Sequence, residues 1–180
     1  SKTTLLQILA GEIEPDQGTV QWGESITRAY FPKDNAKYFD KDIALMDWLS
    51  QFSGSSDIQF IRGFLGRMLF SADAVDKKVK VLSGGEKARA MFSKMMLVEA
   101  NVLIFEDPTD HLDLESITAL NEGVEKYPEC MFFSSHDFQL LNTVPNRIIE
   151  VSPKGMLDRR SSFDEFMQSE QIKESREALY

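Results

Sequence analysis

The sequence predicts an α/β fold built around a parallel sheet, and two observations carry this prediction. Short apolar runs at residues 102–105, 131–133 and 147–151 have the length and composition of strands, and a helical pattern at residues 114–127 separates the first two. The 180 residues are 42% hydrophobic, which is enough to fill the core of one domain. We therefore expect a single domain over residues 1–180.

The chain is predicted to begin with a helix. Apolar residues recur at helical spacing between residues 5 and 9, and Gly11 follows as a typical helix stop. Two strand-like segments come next, at residues 18–22 and 26–31, with turn residues between them. These segments indicate a small sheet.

Residues 43–81 are predicted to form a helical lobe. Apolar residues lie at helical spacing in residues 43–52 and 58–70, and the polar loop at residues 53–57 separates the two segments. The charged cluster at residues 76–78, in the linker that follows, is interpreted as a solvated surface.

The most informative segment is the sequence L-S-G-G-E at residues 82–86, which we call the glycine turn. A capping box that starts a helix over residues 87–100 would by itself explain Ser83 and Glu86. It does not explain the two glycines, each of which disfavours a first helical turn by about 1 kcal/mol relative to alanine. Helix N-termini bind anions, because their N–H groups are unpaired and the helix dipole is positive there. The glycines therefore indicate close approach of a phosphate.

The C-terminal tail at residues 162–180 is charged and favours helix, with a solvated helix as its simplest interpretation. We expect it to dock through three apolar side chains, which are Phe163, Phe166 and Met167.

Composition and charge exclude several classes of function. The net charge of -9 argues against a nucleic-acid clamp, which needs clustered Lys and Arg, so no direct DNA binding is expected. Cys130 is the only cysteine, which excludes an internal disulfide and a multi-cysteine zinc site, and we predict that it is buried in a strand. No apolar run approaches the roughly 20 residues that span a bilayer, so we expect no membrane contact. The single cysteine fits a reducing compartment, so we expect a cytoplasmic location.

The tripeptide K-T-T at residues 2–4 matches the end of the pattern G-x-x-x-x-G-K-[ST]. In that loop the lysine reaches the β- and γ-phosphates and the hydroxyl holds magnesium. The tripeptide is a weak signal alone, and its weight comes from order along the chain. It is followed by the glycine turn, by a strand that ends in two carboxylates at residues 106–107, and by S-H-D at residues 135–137 after another strand. An isolated histidine is more often structural, but this order favours a functional His136.

Together these motifs resemble the ATP-binding cassette family over nearly the whole chain. The run at residues 102–113, with P-T and then H-L-D, is similar to the Walker B and D-loop run of the F subfamily, whose members act on ribosomes. The resemblance implies a P-loop NTPase-like parallel sheet core with a helical signature lobe. It also implies ATP and Mg²⁺ as cofactors.

The resemblance further implies partners. In the family, two cassettes sandwich ATP head to tail, so one chain supplies half of each site. The compact lobe at residues 43–81 has no long inserted arm and resembles that of a second cassette. We therefore expect the first cassette of the same polypeptide as a partner, a link to the ribosome, and a sequence that begins inside the Walker A loop.

Roles for individual side chains also come from the resemblance. The implied catalytic residues are Asp107, Glu106 and His136. The implied nucleotide contacts are Lys2, Thr3, Thr4, Lys33, Ser83, Gly84, Gly85, Glu86 and Asp113. The implied metal ligands are Thr3 and Glu106. Asp113 is also explained as a helix N-cap, and the two roles are compatible. His111 is interpreted as structural.

Several positions depart from the family pattern. The family has aspartate and then glutamate where this chain has Glu106 and then Asp107, so the shorter side chain stands at the water-activating position. Lys33 stands where the family has the Q-loop glutamine, and a cation there would compete with the metal. Three further departures are Ser1, Asp110 and Phe138. ATP hydrolysis is therefore expected from the resemblance but weakened by these residues.

The favoured interpretation is a cassette that binds and hydrolyses Mg-ATP at a head-to-tail interface, coupled to ribosome engagement. Two alternatives stay open. One is the ATPase subunit of a membrane transporter, and the other is a nucleotide switch that closes without turnover.

Overall fold

A computed structural model describes residues 1–54 and 57–180. Its centre is a three-stranded parallel sheet with the order β1-β2-β3. The strands are β1 (Arg28–Phe31), β2 (Val102–Glu106) and β3 (Cys130–Ser134). Phe31 pairs with Phe105, and Glu106 pairs with Ser134, so the carboxyl ends of all three strands meet at one edge. The predicted α/β fold with a parallel sheet is confirmed.

The described residues also form α-helices. They are α1 (Lys2–Ala10), α2 (Leu45–Ser50), α3 (Ile58–Arg67), α4 (Gly84–Leu97), α5 (Leu114–Glu125), α6 (Phe138–Thr143), α7 (Phe163–Gln168) and α8 (Glu170–Leu179). Within the described residues, no helix has both the length and the apolar character needed to cross a membrane. Helix α1 ends as predicted, because Gly11 adopts the left-handed conformation with φ 81° and its N–H caps the last turn.

The alternation of side chains along β2 gives the sheet two apolar faces. Val102 and Ile104 pack with Leu6 of α1 on one face. Leu103 and Phe105 belong to the larger core on the other face, where Phe105 stacks on Phe92 of α4 at a centroid distance of 5.8 Å. The sheet is therefore covered on both sides, as parallel sheets require.

Helices α2 and α3 occupy the predicted lobe. Trp48 of α2 is buried and stacks on Phe39 at 5.0 Å. Of the loop predicted at residues 53–57, residues 55–56 lie outside the described part of the chain.

Three predictions in the outer parts of the fold are wrong. Residues 18–22 do not form a strand, because that segment finds no ladder partner and runs as irregular backbone. Cys130 lies in a strand but is exposed, because it is the first residue of edge strand β3, and only the carboxyl end of that strand is buried. Met167 of the tail is 40% exposed, whereas the buried tail residues are Phe166 and Ile172.

The last predicted strand does not extend the parallel sheet. Strand β4 (Ile148–Ser152) pairs antiparallel with β5 (Gly155–Arg159) in a separate two-stranded hairpin. Only two residues, Pro153 and Lys154, connect the strands, and a connection this short joins antiparallel strands only. The sequence P-K-G at residues 153–155 was the turn signal that could have indicated it.

Candidate functional site

The carboxyl edge of the parallel sheet brings together residues from four separate stretches of the sequence. We call this group the carboxyl-edge cluster, and its members are Lys2, Thr3, Tyr30, Lys33, Glu106, Asp107 and His136. Lys2, at the start of α1, and His136, after β3, lie with Nζ and Nε2 3.4 Å apart. Both side chains are exposed, so a lysine ammonium and an imidazole face solvent together beside the first turn of a helix. In open α/β sheets, ligands bind outside the carboxyl ends of the strands.

Glu106 is the buried carboxylate of this cluster. It ends β2 and is only 3% exposed. The Thr3 hydroxyl donates a hydrogen bond to Oε1, and the Tyr30 hydroxyl donates to Oε2 at 3.2 Å. Burial, and then the neighbouring Glu106 charge, raise the pKa of Tyr30 above its ordinary value. Tyr30 therefore stays protonated as a donor, and sequence reasoning missed it.

Asp107 occupies a different environment one residue later. Its backbone is left-handed, with φ 44°, and its N–H donates to the Ser134 carbonyl at 3.0 Å. Lys33 Nζ lies 3.3 Å from Asp107 Oδ2 and 3.0 Å from Asp110 Oδ2. Hydrogen bonds, first from Asp110 and then from Asp107, raise the pKa of Lys33. The other oxygen, Asp107 Oδ1, is buried and has no hydrogen-bond partner.

A cavity of about 510 Å³ opens beside these groups, lined among others by Thr3, Tyr30, Lys33, Lys37 and Glu106. Its oxygen donors fit Mg²⁺, which prefers one or two carboxylates completed by phosphate and water oxygens. Asp107, whose Oδ1 is buried, is not among the residues that line this cavity. In the described residues no three His, Cys, Asp or Glu side chains form a metal cage, so a bound ion would need the ligand's own oxygens.

The glycine turn is a capped helix N-terminus. The Glu86 N–H donates to Ser83 Oγ at 3.2 Å, and the Ser83 N–H donates to Glu86 Oε2 at 2.8 Å. The capping box is therefore present, but α4 begins at Gly84 rather than at residue 87 and ends at Leu97, because the cap is Ser83 itself. The hydrogen bonds that cap the glycine turn are therefore made between residues of the turn itself.

The prediction that residues 76–78 are only solvated surface is wrong for Lys77. Its Nζ lies 2.8 Å from Glu86 Oε1. Burial alone would raise the pKa of Glu86, but the hydrogen bonds from Lys77 and from the Ser83 N–H outweigh it and lower that pKa. The linker thus contacts the glycine turn directly.

The two glycines are not required by the fold of this chain. A Cβ added at Gly85 would lie 3.4 Å from the His111 carbonyl oxygen, and one at Gly84 would lie 3.8 Å from His111 Cβ, both ordinary contacts. Neither residue has a positive φ. Since internal packing tolerates a methyl group, the absence of side chains leaves room for something outside the chain.

A second cavity of about 430 Å³ lies over the turn, and its lining includes Ser83, Gly85, His111 and Asp113. Arg89, which sequence reasoning missed, also lines it and donates from Nη1 to Ser116 Oγ at 3.1 Å. Arg89 follows Glu86 by three residues on α4, and this helical spacing was the available signal.

Two further predicted contacts have local roles in the structure. Asp113 accepts from the Ser116 N–H at 2.8 Å as the N-cap of α5, and the Ser116 hydrogen bonds lower its pKa. The Thr4 hydroxyl lies 3.0 Å from Ser1 Oγ, whereas its neighbour Thr3 makes the contact with Glu106.

Comparisons with known proteins show the family to which the chain is similar. The family model described as "ABC transporter" matches residues 2–110. The uncharacterized ABC transporter ATP-binding protein YkpA of Bacillus subtilis is 52% identical over 180 residues, covering 99% of this chain and 33% of that protein. ABC transporter F family member 2 of Arabidopsis thaliana is 34% identical, covering 93% of this chain and 25% of that protein. The energy-dependent translational throttle protein EttA of Escherichia coli is 30% identical, covering 87% and 29%.

Among solved structures, an archaeal ribosome recycling factor, aABCE1, in complex with the ribosomal stalk protein aP1 superimposes with a TM-score of 0.75. The match has 22% identity and covers 98% of this chain and 40% of that one. It supports the fold alone. The chain spans about a third or less of the length of the three curated relatives described above.

Proposed function

Because this chain belongs to the ABC transporter family and is an ABC ATP-binding domain, we propose that it binds Mg-ATP and hydrolyses it at an interface with a second cassette. The observation that carries this proposal is the carboxyl-edge cluster. Three separate stretches of sequence meet at the edge of the sheet where ligands bind, and they supply Lys2 with Thr3, Glu106, and His136.

Each member of the cluster has a proposed role toward ATP. Lys2 and His136 would bind the terminal phosphates, because their exposed nitrogen atoms lie 3.4 Å apart beside the first turn of α1. Thr3 and Glu106 would hold magnesium, which when bound neutralises developing charge on the phosphates. Asp107, which follows Glu106 at the same edge of the sheet, would orient the attacking water.

The glycine turn would contribute to a second nucleotide site, whose ATP is held by the partner cassette. Its backbone N–H groups and positive helix end suit the phosphate of an ATP molecule held by the partner cassette. This role explains why glycines stand at two positions where packing within the chain would accept alanine. Ser83, Gly84, Gly85 and Glu86 therefore belong to a half-site that one chain cannot complete, and Asp113 lies beside it.

We further propose a cytoplasmic F-type protein in which this chain is the second cassette and a first cassette of the same polypeptide is its partner. The similarity to an F family member supports the subfamily. The similarity to a translational throttle protein supports coupling of ATP to ribosome engagement.

A second candidate function is a nucleotide switch that closes without turnover. The specific observation in its favour is the ion pair between Lys33 and Asp107, at 3.3 Å. This ammonium neutralises the carboxylate that would orient water, and aspartate is also shorter than the glutamate of the family pattern.

The experiment uses a two-cassette polypeptide that carries this chain as its second cassette. Nucleotide binding, phosphate release and co-sedimentation with ribosomes are measured with ATP and with ADP. Turnover in the unmodified protein supports hydrolysis. Binding without turnover, with phosphate release gained by a Glu106→Asp, Asp107→Glu double variant, supports the switch. Absence of nucleotide binding overturns both.

Lys33→Gln isolates the ion pair in the same assay. If the pair restrains Asp107, this variant releases phosphate faster than the unmodified protein. Lys37→Gln is the matched control, because Lys37 lines the same cavity but lies over the Tyr38 ring instead of a carboxylate. Equal effects of the two variants would mean that only the general positive charge of the cavity matters.

A further inference from the structure

Tyr30 makes a contact that no motif in the sequence indicates. The residue lies on β1, and its ring packs with Leu6 and Ile104 on the face of the sheet that α1 covers. Its hydroxyl donates to Glu106 Oε2 at 3.2 Å, while the Thr3 hydroxyl donates to the other carboxylate oxygen. We propose that Tyr30 is a positioning residue that fixes the Glu106 carboxylate as a ligand for the nucleotide's divalent cation. This inference rests on the proposed function as an Mg-ATP-binding cassette.

The register of the sheet explains how Tyr30 reaches this oxygen. Tyr30 pairs with Ile104, two residues before Glu106. Two residues of strand span about 6.6 Å, a distance that a tyrosine side chain leaning along the strand can cover. Ile104 and Glu106 share one face because side chains alternate, and Thr3 approaches that face from α1. The three groups therefore meet only because α1, β1 and β2 are packed together.

The longer side chain at position 106 gives this contact its importance. Glutamate has one more rotatable bond than aspartate, so its carboxylate loses more rotamer freedom when it is held in place. Two hydroxyl donors, one on each oxygen, fix the plane of the group. Each carboxylate oxygen has about two acceptor sites, so each keeps a lone pair for a cation after it accepts one hydrogen bond.

The surroundings of Glu106 suit a metal ligand, because the two hydroxyl groups that bind it are neutral and do not compensate its negative charge. Glu106 is 3% exposed, and its hydrogen bonds come from the neutral hydroxyls of Thr3 and Tyr30. A buried carboxylate is stabilised when a cation or further donors complete its contacts. Its neighbour Asp107 differs, because Lys33 already supplies a cation there. Of the two adjacent carboxylates, Glu106 is thus the one left for an external cation.

The test is Tyr30→Phe in the two-cassette protein, with the dependence of ATP binding on Mg²⁺ concentration as the measurement. Removal of a group that orients a metal ligand lowers metal affinity by about 10–100-fold, so we expect the half-saturating Mg²⁺ concentration to rise by at least about tenfold. ATP binding in EDTA should not change, because the phenylalanine ring keeps the packing. Tyr38→Phe is the control, since its ring contacts Lys94 at 4.5 Å and, among the described residues, its hydroxyl makes no hydrogen bond to the carboxyl-edge cluster.

A double-mutant cycle provides a second, independent readout. In a Glu106→Asp background the shorter carboxylate no longer reaches the Tyr30 hydroxyl, so adding Tyr30→Phe should shift Mg²⁺ dependence much less than it does alone. Metal affinity is read directly from Mn²⁺ binding by electron paramagnetic resonance, so the result does not depend on turnover.

The outcomes separate the inference from the proposed function. If the unmodified protein binds Mg-ATP and Tyr30→Phe leaves the Mg²⁺ dependence unchanged, the positioning role is overturned and the proposed function stands. An equal loss of ATP binding with and without metal likewise overturns it, because the role would then be structural. If the unmodified protein binds no nucleotide, both are overturned.

Discussion

The glycine turn and the carboxyl-edge cluster are assembled in opposite ways. In the turn, the defining hydrogen bonds join Ser83 and Glu86, three positions apart. In the cluster, Tyr30 contacts Glu106 across 76 positions, and Lys2 contacts His136 across 134. The turn can form as soon as one helix begins, whereas the cluster exists only after α1 and three strands have packed. The two regions should therefore respond differently to the same kind of change.

The largest expected difference comes from the core beneath the cluster. Phe105 is 1% exposed and packs against Phe92 and Phe31 at centroid distances of 5.8 and 6.2 Å. Phe105→Ala should lower the free energy of unfolding by about 3–5 kcal/mol in a urea titration, through lost burial and a new cavity. Because β2 carries Glu106, Mg²⁺-dependent nucleotide binding should weaken as well.

The control for this prediction is Val151→Ala in the separate hairpin, where the side chain is 37% exposed. Its effect on stability should stay within about 0.5 kcal/mol, as for most surface substitutions. Equal losses in the two variants would contradict the view that one packed core supports the cluster.

Gly85→Ala tests the glycine turn, the second of the two regions compared above. Alanine fits the chain and favours the helix, so we expect the free energy of unfolding to rise by about 0.5–1 kcal/mol. Turnover in the two-cassette protein should fall by up to about 100-fold, because the methyl group would displace a phosphate by about 1 Å.

Gly63→Ala is the matched control for Gly85→Ala. Gly63 lies inside α3, and a Cβ there meets nothing within 4 Å. It should give the same gain in stability by calorimetry with no loss of turnover. If both alanine variants turn over normally, the glycine turn does not approach a phosphate.

The smallest expected effect is the pH dependence of a local cap. Hydrogen bonds from Ser116 lower the pKa of Asp113 in the folded chain. Its contribution to stability is therefore fully present above the unfolded pKa of about 3.9, and is lost as the pH falls through the lower folded pKa. Asp113→Asn keeps a good N-cap but does not titrate, so its unfolding midpoint should change less with pH below about 4.

Asp73→Asn serves as the control for this pH prediction, because the Asp73 side chain makes no capping hydrogen bond. Thermal unfolding is followed at several pH values. The plot of the unfolding midpoint against pH should be the same for Asp73→Asn as for the unmodified protein, and flatter for Asp113→Asn. Identical profiles for all three proteins would mean that the cap does not contribute.

The features predicted correctly are those that depend on interactions between residues close together in the sequence. The glycine stop of α1, the capping box at Ser83 and the cap at Asp113 all depend on contacts between near neighbours. The strands at residues 102–106 and 130–134 were predictable for a similar reason, because a short apolar run is suited to a sheet covered on both faces. The hairpin of β4 and β5 was missed although its turn residues were visible.

By itself, the sequence determined the α/β class, the position of the glycine turn and the order of the motifs along the chain. Only the tertiary structure decided which side chains meet: Tyr30 with Glu106, Lys33 with Asp107, and Lys77 with Glu86. It also decided that Cys130 is exposed, because a residue's burial on a strand depends on which neighbours cover that strand. The physical reason is the range of the interactions. Caps and helix periodicity act between residues three or four apart, whereas contacts at the carboxyl edge depend on the sheet order and register that packing sets.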